Sequence, residues 1–482
     1  MIKKMILVPL AVLTFGLFFL SFRSPTGIGN NRFSADTSLL PLFAAAIDLK
    51  GTNVFRESGN IALTTGLDNS YYQLDSTGRT GYLYLEARMK RFVNNAVRKV
   101  PLNIAIVLDR RGSMAGEKMD FAKKAAFGII DRLSPADFVS IIVFDEFIDV
   151  VQPATAVKFK DSIKMKLAKI KPRGSTNLWG GSEKGYEQVK ASFKKEYINR
   201  VLLISDGNIT AGPKIPSRII GWVQEYKDIE GISISTFGVG LDYNETLMTD
   251  MAENGAGNYY YIDRAEKMEG MFNKELNGLQ NVVAQEAELT IMLPKGLTVE
   301  KISPFKYRQE KNVITIRFRD LFSEEIKSMV MKFSLDDRAN KELSVQTRLT
   351  YADVTDNQQK VIAIENTLQP TRDAGSYLAN FNRAVAEQVV LFTANENLER
   401  MMLEVDKGNY ELAKKYAEAN GYFLNANARF IKTSGELQKM DSVNRFYFGD
   451  IENAKSMSKD SVKQMQKARR DVNYRIRNKK QQ

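Results

Sequence analysis

The sequence predicts an α/β domain with a doubly wound, mostly parallel sheet, inserted into a β-sandwich and followed by an α-helical C-terminal region. Three observations predict this. Continuous apolar runs alternate with helical patterns over residues 102–280, which is typical of a parallel sheet covered by helices on both faces. Short alternating strand patterns follow over residues 287–364, and helical periodicity begins at residue 371.

The composition permits several folded domains and excludes some kinds of chemistry. The chain has 482 residues, of which 44% are hydrophobic and 26% are charged, as is ordinary for a folded protein. It contains no cysteine and no histidine. Disulfides, zinc–thiolate sites and a Ser-His-Asp mechanism are therefore excluded. Any metal must be held by oxygen, which favours Mg²⁺, Ca²⁺ or Mn²⁺.

The first residues predict export. Lys3 and Lys4 precede residues 5–22, which carry no charge. This is the pattern of a secretory signal, and its length reaches the lower limit for a membrane-spanning helix. We interpret residues 1–22 as either a cleaved signal peptide or a retained membrane anchor. In both cases the body of the protein lies outside the cytoplasm, in the periplasm, in the cell envelope or outside the cell.

A linker and a β-hairpin follow the N-terminal segment. Residues 23–58 are interpreted as the linker, because their first part is rich in Gly, Ser, Asn and Pro. Residues 59–98 alternate apolar and polar side chains around a turn at residues 75–78, which predicts a hairpin. Because an isolated hairpin is marginal in water, we expect it to join the strands of residues 284–370 in one β-sandwich.

Residues 99–283 are assigned to the α/β domain. Its predicted strands span residues 102–108, 138–144, 201–205, 232–238 and 259–262. Its predicted helices span residues 117–133, 161–170, 178–193, 217–228, 245–254 and 267–279. In such a sheet, ligands bind beyond the carboxyl ends of the strands.

The C-terminal region divides into a helical hairpin region, residues 371–454, and a basic helical tail, residues 455–482. The tail carries ten Lys and Arg residues against two Asp residues. Two interpretations stay open: a solvated tail, or contact with an acidic membrane surface or an acidic partner. Nucleic acid is not expected as a partner of an exported chain.

Three motifs lie in or beside the predicted strands and helices of the α/β domain. Asp109-x-Arg111-x-Ser113 ends the first strand, residues 174–177 (Gly-Ser-Thr-Asn) precede a helix, and residues 205–207 (Ser-Asp-Gly) end another strand. In this order they resemble the motifs of a von Willebrand factor A domain of the bacterial exported type, similar to calcium-activated-channel-like and inter-α-trypsin-inhibitor-like proteins. The resemblance implies a metal-ion-dependent adhesion site for Mg²⁺. Its candidate ligands are Asp109, Ser113, Thr176 and Asp206.

Arg111 breaks the family pattern, which has a serine at this position. Arginine has no acceptor atom, so it cannot be a metal ligand. Three interpretations stay open: Arg111 pairs with a carboxylate in a metal-free site, it points away and leaves a weakened metal site, or it accepts an acidic partner directly together with Arg110. We expect Arg111 to set the metal affinity, and Arg111→Ser to gain Mg²⁺ or Mn²⁺ binding.

The sequence predicts an exported, non-enzymatic protein-interaction module that binds its partner at the carboxyl ends of the strands. The residues expected to contact the partner are Arg110, Arg111, Met114 and Asn177. The alternative is a structural or assembly protein of the cell envelope, in which this domain is a spacer and the helical tail binds. A nearby acidic group, Asp145, Glu146 and Asp149, is interpreted as part of a solvated loop.

Overall fold

The computed structural model describes residues 49–91, 100–206 and 209–479. The predicted signal or anchor at residues 1–22 and most of the predicted linker lie outside these ranges. Within them, no helix combines the length and the apolar character needed to cross a membrane.

The first described strands are β1 (Val54–Ser58), β2 (Ile61–Leu67), β3 (Tyr71–Gln73) and β4 (Thr80–Met89). Strand β2 pairs antiparallel with both β1 and β4. The assignment of residues 54–58 to a linker is therefore wrong. Most of β1 is exposed. The strand therefore lacks the apolar alternation by which a strand is recognised in a sequence, and only its pairing with β2 identifies it.

The central sheet contains β5 (Leu102–Asp109), β6 (Phe138–Phe144), β7 (Ile148–Ala156), β8 (Ile198–Ser205), β9 (Ser233–Val239) and β10 (Tyr259–Ile262). Their order in the sheet is β10-β9-β8-β5-β6-β7. All neighbours are parallel except β7, which runs antiparallel to β6 at the edge. The predicted mostly parallel sheet is confirmed, and β7 is an addition to it.

Helices cover both faces of this sheet. One hydrophobic cluster holds α1 (Glu117–Arg132), α2 (Lys160–Ala168) and α6 (Met268–Gln280) against one face. A second cluster holds α3 (Leu178–Ala191), α4 (Pro216–Glu225) and α5 (Glu245–Asn254) against the other. The domain is therefore doubly wound, as predicted.

After the α/β domain the chain forms seven strands. They are β11 (Val282–Met292), β12 (Leu297–Ser303), β13 (Arg308–Glu310), β14 (Val313–Phe322), β15 (Ile326–Leu335), β16 (Leu343–Asp353) and β17 (Gln359–Thr371). They complete two sheets, with the orders β1-β2-β4-β15-β12 and β13-β14-β11-β16-β17-β3. A single hydrophobic cluster contains side chains from both sheets, for example Leu63 and Leu85 from the first, and Leu289 and Leu349 from the second.

Strands from before and after the α/β domain lie side by side in the first sheet. Strand β4 pairs antiparallel with β15 along nine residues, from Thr80 opposite Ser334 to Arg88 opposite Ile326. The chain therefore leaves this sheet before the α/β domain and returns to it afterwards.

The C-terminal region is helical, as predicted. It contains α7 (Ala374–Ala379), α8 (Arg383–Asp406), α9 (Tyr410–Ala426), α10 (Ala428–Ile431), α11 (Gly435–Ala454) and α12 (Lys459–Arg477). The apolar spacing of residues 372–405 predicts one long helix there. Instead, α8 begins after Asn382, whose side chain accepts hydrogen bonds from the backbone N–H groups of Ala384 and Val385. Helix α11 was not predicted.

The basic tail is not a solvated extension. In α12, Lys467 is 5% exposed and Tyr474 is 6% exposed. Lys463 Nζ lies 2.9 Å from a carboxylate oxygen of Asp242, and Arg477 pairs with Glu253. The interpretation as a solvated tail is therefore wrong, because these cations pair with acidic groups of the α/β domain.

Candidate functional site

The predicted site residues converge at the carboxyl edge of the central sheet. Strand β5 ends at Asp109, and its parallel neighbour β8 ends at Ser205, directly before Asp206. Gly116, with a φ of 73°, turns the chain from the short helical turn Gly112–Met114 into α1. The ends of two adjacent strands and the start of one helix thus place their side chains together.

Asp109 is fully buried and accepts two hydrogen bonds. The Ser205 hydroxyl donates to Oδ2 at 2.6 Å, and the backbone N–H of Arg111 donates to Oδ1 at 2.9 Å. Burial raises the pKa of Asp109 to about 7, and the nearby charge of Asp206 adds to this, while both hydrogen bonds oppose it. Asp109 is therefore partly protonated near neutral pH.

Asp206 is also fully buried, and two cations contact it. Lys118 Nζ lies 2.5 Å from Oδ2, and Arg111 Nε lies 3.3 Å from Oδ1. The Ser113 hydroxyl donates to Oδ1 at 2.7 Å and itself accepts a hydrogen bond from Arg111. Arg111 thus points inward, to Asp206.

Lys118 was not identified from the sequence. It is the second residue of α1, in the first turn after the Asp109 motif. Its position in the first turn of α1 could have indicated the contact, because a long side chain in this turn can reach the end of the neighbouring strand. Helix periodicity alone does not show which face of α1 the side chain takes.

Thr176 is the fourth candidate metal ligand, and its surroundings differ from those of the other three. Its backbone N–H donates to the Thr210 hydroxyl at 2.8 Å, in the loop that follows Asp206. Its own Oγ1 is buried and has no hydrogen-bond partner among the described residues. An unsatisfied buried hydroxyl can accept a ligand or a water molecule.

The residues present do not fit a divalent cation. The Thr176 hydroxyl favours such an ion, but both oxygens of Asp206 already face a cation of the chain. A divalent ion there would be repelled by Arg111 and Lys118. No group of three carboxylates suited to a metal occurs in the part of the chain that the structure describes.

Two of the expected partner contacts are not available on the surface. Met114 is fully buried in the core beneath α1, and Arg110 is 8% exposed. The Arg110 guanidinium lies 2.8 Å from Asp145 and 2.6 Å from Asp149. The predicted role of Met114 and Arg110 is therefore wrong. Asn177 is half-buried and caps α3, since its side chain accepts from the backbone N–H of Gly180 at 3.0 Å.

Asp145 was expected in a solvated loop, and it is fully buried. Burial alone would raise its pKa. Hydrogen bonds from the Phe147 N–H and from the Arg173 and Arg110 guanidinium groups outweigh burial and hold its pKa below the usual range. Asp149 is exposed and belongs to strand β7. These acidic side chains pair with neighbouring arginines at the sheet edge.

Around the buried ion pairs lies a surface with exposed apolar side chains. Phe147, between β6 and β7, is 63% exposed, and Ile215, at the start of α4, is 58% exposed. The Arg173 side chain is 57% exposed. All three belong to loops that leave the carboxyl ends of strands or lead to the helices beside them. We call Phe147, Arg173 and Ile215 the rim.

Comparison with known proteins identifies the domain. Residues 103–274 match the family model of the von Willebrand factor type A domain. An uncharacterised protein of Synechocystis sp. is 23% identical over 320 residues, which cover 62% of this chain and 75% of that protein. The uncharacterised protein YfbK of Escherichia coli is 30% identical over 191 residues, which cover 39% of this chain and 33% of that protein. The inter-alpha-trypsin inhibitor heavy chain H4 of Bos taurus is 26% identical over 240 residues, 46% of this chain and 26% of that protein.

A solved structure shares most of the fold. The structure of a von Willebrand factor type A protein from Catenulispora acidiphila aligns with a TM-score of 0.63 at 15% identity, covering 82% of this chain and 92% of that chain. The likeness to a von Willebrand factor A domain, drawn from the motifs, is therefore confirmed for the α/β domain. The chain spans about a third or less of the Escherichia coli and mammalian relatives.

Proposed function

We propose that this protein, through the von Willebrand factor type A domain in residues 103–274, is an exported, non-enzymatic module that binds a protein partner at the carboxyl edge of its central sheet. Domains of this type commonly mediate contacts between proteins. The observation that carries the proposal is the rim, whose three side chains, Phe147, Arg173 and Ile215, are all exposed.

The rim has the chemistry of a protein-binding surface. Aromatic side chains and arginine are enriched at the energetic centres of interfaces, because they bury a large area and still make polar contacts. Beneath the rim, Asp145 and Asp206 are already paired with cations of the chain. A partner therefore meets apolar groups above carboxylates that the chain has already paired.

Substitution on the rim tests this proposal. We expect the full chain to capture a protein from extract of its own cell envelope, and Phe147→Ala with Ile215→Ala to reduce that capture at least about tenfold, as expected for two interface anchors. Phe159→Ala is the matched control, because Phe159 is 77% exposed but lies at the other edge of the sheet. It follows β7, whose last residue, Ala156, pairs with Phe138 at the start of β6. An equal loss with Phe159→Ala would contradict the proposed face.

The alternative, in which the tail binds and the domain is a spacer, has less support. Helix α12 carries most of the basic tail, and its cations face Asp242, Glu245 and Glu253 of the α/β domain. Those charges are not free to attract an acidic partner while α12 is docked.

Export is a separate part of the proposal. Lys3 and Lys4 before the uncharged residues 5–22 support it. N-terminal sequencing of the mature protein distinguishes a cleaved signal from a retained anchor. Recovery of the native protein from the soluble cytoplasmic fraction would refute export.

A further inference from the structure

The ion pairs at the carboxyl edge carry an inference about the metal site that does not depend on any partner. Two cations, Arg111 and Lys118, contact Asp206, and Asp109 lies beside it with a hydrogen bond from the backbone N–H of Arg111. Both carboxylates are fully buried, and the cation side chains are 19% and 30% exposed. The chain therefore supplies at this place the two positive charges that a divalent ion would bring.

Each carboxylate oxygen of Asp109 and Asp206 already accepts a hydrogen bond, which leaves little of these groups available to a metal ion. One oxygen of Asp109 accepts a hydrogen bond from the Ser205 hydroxyl, and the other accepts one from the backbone N–H of Arg111. One oxygen of Asp206 contacts the Ser113 hydroxyl and the Arg111 guanidinium, and the other contacts the Lys118 ammonium group. A metal would have to displace charged donors from Asp206 before it could bind.

Lys118 also lies close to a glycine of a neighbouring loop. Its Nζ lies 3.3 Å from the position that a Cβ would take at Gly240, a glycine with a φ of 77°. The ammonium group therefore fits against bare backbone of the loop after β9. The field of Lys118 and Arg111 also reaches Asp242 in that loop, where both cations lower the pKa of the carboxyl after the larger contribution of its hydrogen bond with Lys463.

We propose that Arg111 and Lys118 together form a built-in replacement for the divalent cation, so that this face works without metal. Lys118 contributes to this replacement as much as Arg111 does. Removing Arg111 alone leaves the ammonium group of Lys118 on Asp206, and the site stays closed to Mg²⁺ and Mn²⁺. This differs from the expectation from sequence, in which Arg111→Ser was sufficient to restore the site.

Calorimetric titration of the full chain with Mn²⁺ and with Mg²⁺ tests the proposal. The variants are Arg111→Ser, Lys118→Met and the two combined, with Lys124→Met as control, since Lys124 lies on the same helix with its side chain 65% exposed. We expect the combined variant to bind Mn²⁺ at least about tenfold more tightly than the natural chain, either single variant or the control, because both opposing charges are then removed.

Two results would overturn the proposal. One is a folded combined variant that binds Mn²⁺ no more tightly than the natural chain, and the other is a single variant, Arg111→Ser or Lys118→Met, that binds Mn²⁺ as tightly as the combined variant. Because the titration contains no partner protein, its outcome is independent of the proposed function.

A melting experiment covers the case in which the combined variant does not fold. Lys118→Met and Asp206→Asn are each expected to lower the melting temperature, since the first removes one of the two cations on Asp206 and the second leaves both cations without their carboxylate. The double variant should lose less than the sum of the two, because the groups act as one pair. Additive losses would show that Lys118 and Asp206 are not coupled and would overturn the proposal.

Discussion

Asp68 shows how burial sets the charge of a single residue. It is 3% exposed, and its Oδ1 accepts a hydrogen bond from the backbone N–H of Tyr82 at 2.8 Å. Burial raises its pKa to about 7, against the opposing effect of backbone hydrogen bonds. The folded protein therefore holds a proton on Asp68 at a pH where the unfolded chain, with a pKa near 3.8, has lost it.

The contribution of Asp68 to the stability of the fold decreases as the pH rises. Asp68 favours folding below about pH 4, and this contribution is lost as the pH rises through 7. Asp68→Asn keeps an oxygen acceptor for Tyr82 and cannot ionise. We expect it to be more stable than the natural protein above pH 7, by at most about 4 kcal/mol for three units of pKa, with little difference near pH 4. Urea unfolding at pH 4 and pH 8 measures this.

Asp336 is the matched control for that experiment. It is an exposed aspartate whose pKa is lowered to about 2, first by the hydrogen bonds from Arg338. Its folded pKa lies below the unfolded value, so Asp336→Asn should lose stability above pH 4, the opposite sign. If Asp68→Asn follows the natural protein at both pH values, burial does not hold its proton.

Arg200 is a fully buried cation that joins the α/β domain to the second sheet. It lies on β8, with its Nη1 3.3 Å from Glu275 of α6 and its Nη2 3.9 Å from Asp320 of β14. Arg200→Met should cost about 3 kcal/mol, because breaking a buried pair leaves carboxylates without a counter-charge. Denaturant unfolding measures the loss.

An exposed pair provides the comparison for Arg200. The side chains of Arg308 and Glu310 are 73% and 68% exposed, so Arg308→Met should change the free energy of unfolding by less than about 1 kcal/mol. Equal effects of the two substitutions would mean that the burial of Arg200 does not determine its contribution.

At the site, the sequence located the strand ends but not the direction of every side chain. The resemblance to a von Willebrand factor A domain implied that Asp109, Ser113 and Asp206 meet at one site, and in the structure the Ser113 hydroxyl bonds to Asp206. Lys118 and Met114 could not be placed, because loop and first-turn residues have no periodicity that separates an inward side chain from an outward one. The role of Arg111 depended on the same orientation, and three interpretations therefore stayed open.

Among the elements, the buried strand β6 was predicted, whereas the edge strand β7 and helix α11 were not. Strand β6 was predicted with both of its ends correct, since all but its first residue are buried. Strand β7 was missed, because its exposed edge carries polar residues and Pro153, which favours an edge position. Helix α11 was missed although Leu437, Met440, Val443 and Tyr447 are buried on one face. Here the apolar periodicity was present in the sequence and was overlooked.

Helix α12 fastens the α/β domain to the helical region. Arg477 pairs with Glu253 of α5 and with Glu399 of α8. Lys467 lies 3.4 Å from the centroid of the Tyr243 ring and is buried against it. A helix rich in positive charge thus acts as an internal connector, which the amino-acid composition of the tail does not reveal.

Removing α12 tests this role. A chain that ends at Ser456 should lose at least about 3 kcal/mol of stability, the loss expected for one broken buried pair, and the α/β domain should melt separately from the rest. Calorimetry resolves the transitions. A chain that ends at Lys479 is the control, because it keeps every described residue of α12. Identical melting of the two shortened chains would contradict the connector role.

At the scale of the whole molecule, the α/β domain is an insertion between strands that share one sheet. The sequence indicated this because an isolated hairpin at residues 59–98 would be marginal in water. In the structure, β4 from that segment pairs with β15. The order of strands in the second sheet could not be predicted from the sequence. Strand β3 pairs parallel with β17, some 300 residues away, and no local pattern indicates such a contact.

Fragments test whether the two sheets depend on both flanks of the α/β domain. Residues 284–370 alone should stay unfolded. They contain β15, but they lack β4, which pairs with nine of the ten residues of β15, and they lack Leu63 and Leu85 of the shared core. Adding a peptide of residues 49–91 should restore folding, because it supplies both the strand and the apolar side chains, whereas a peptide with Leu63→Asp and Leu85→Asp should not. Far-ultraviolet circular dichroism during thermal melting is the measurement. A cooperative melt of residues 284–370 without the peptide would show that these strands form a complete core by themselves, and that the α/β domain is not inserted into a single folding unit.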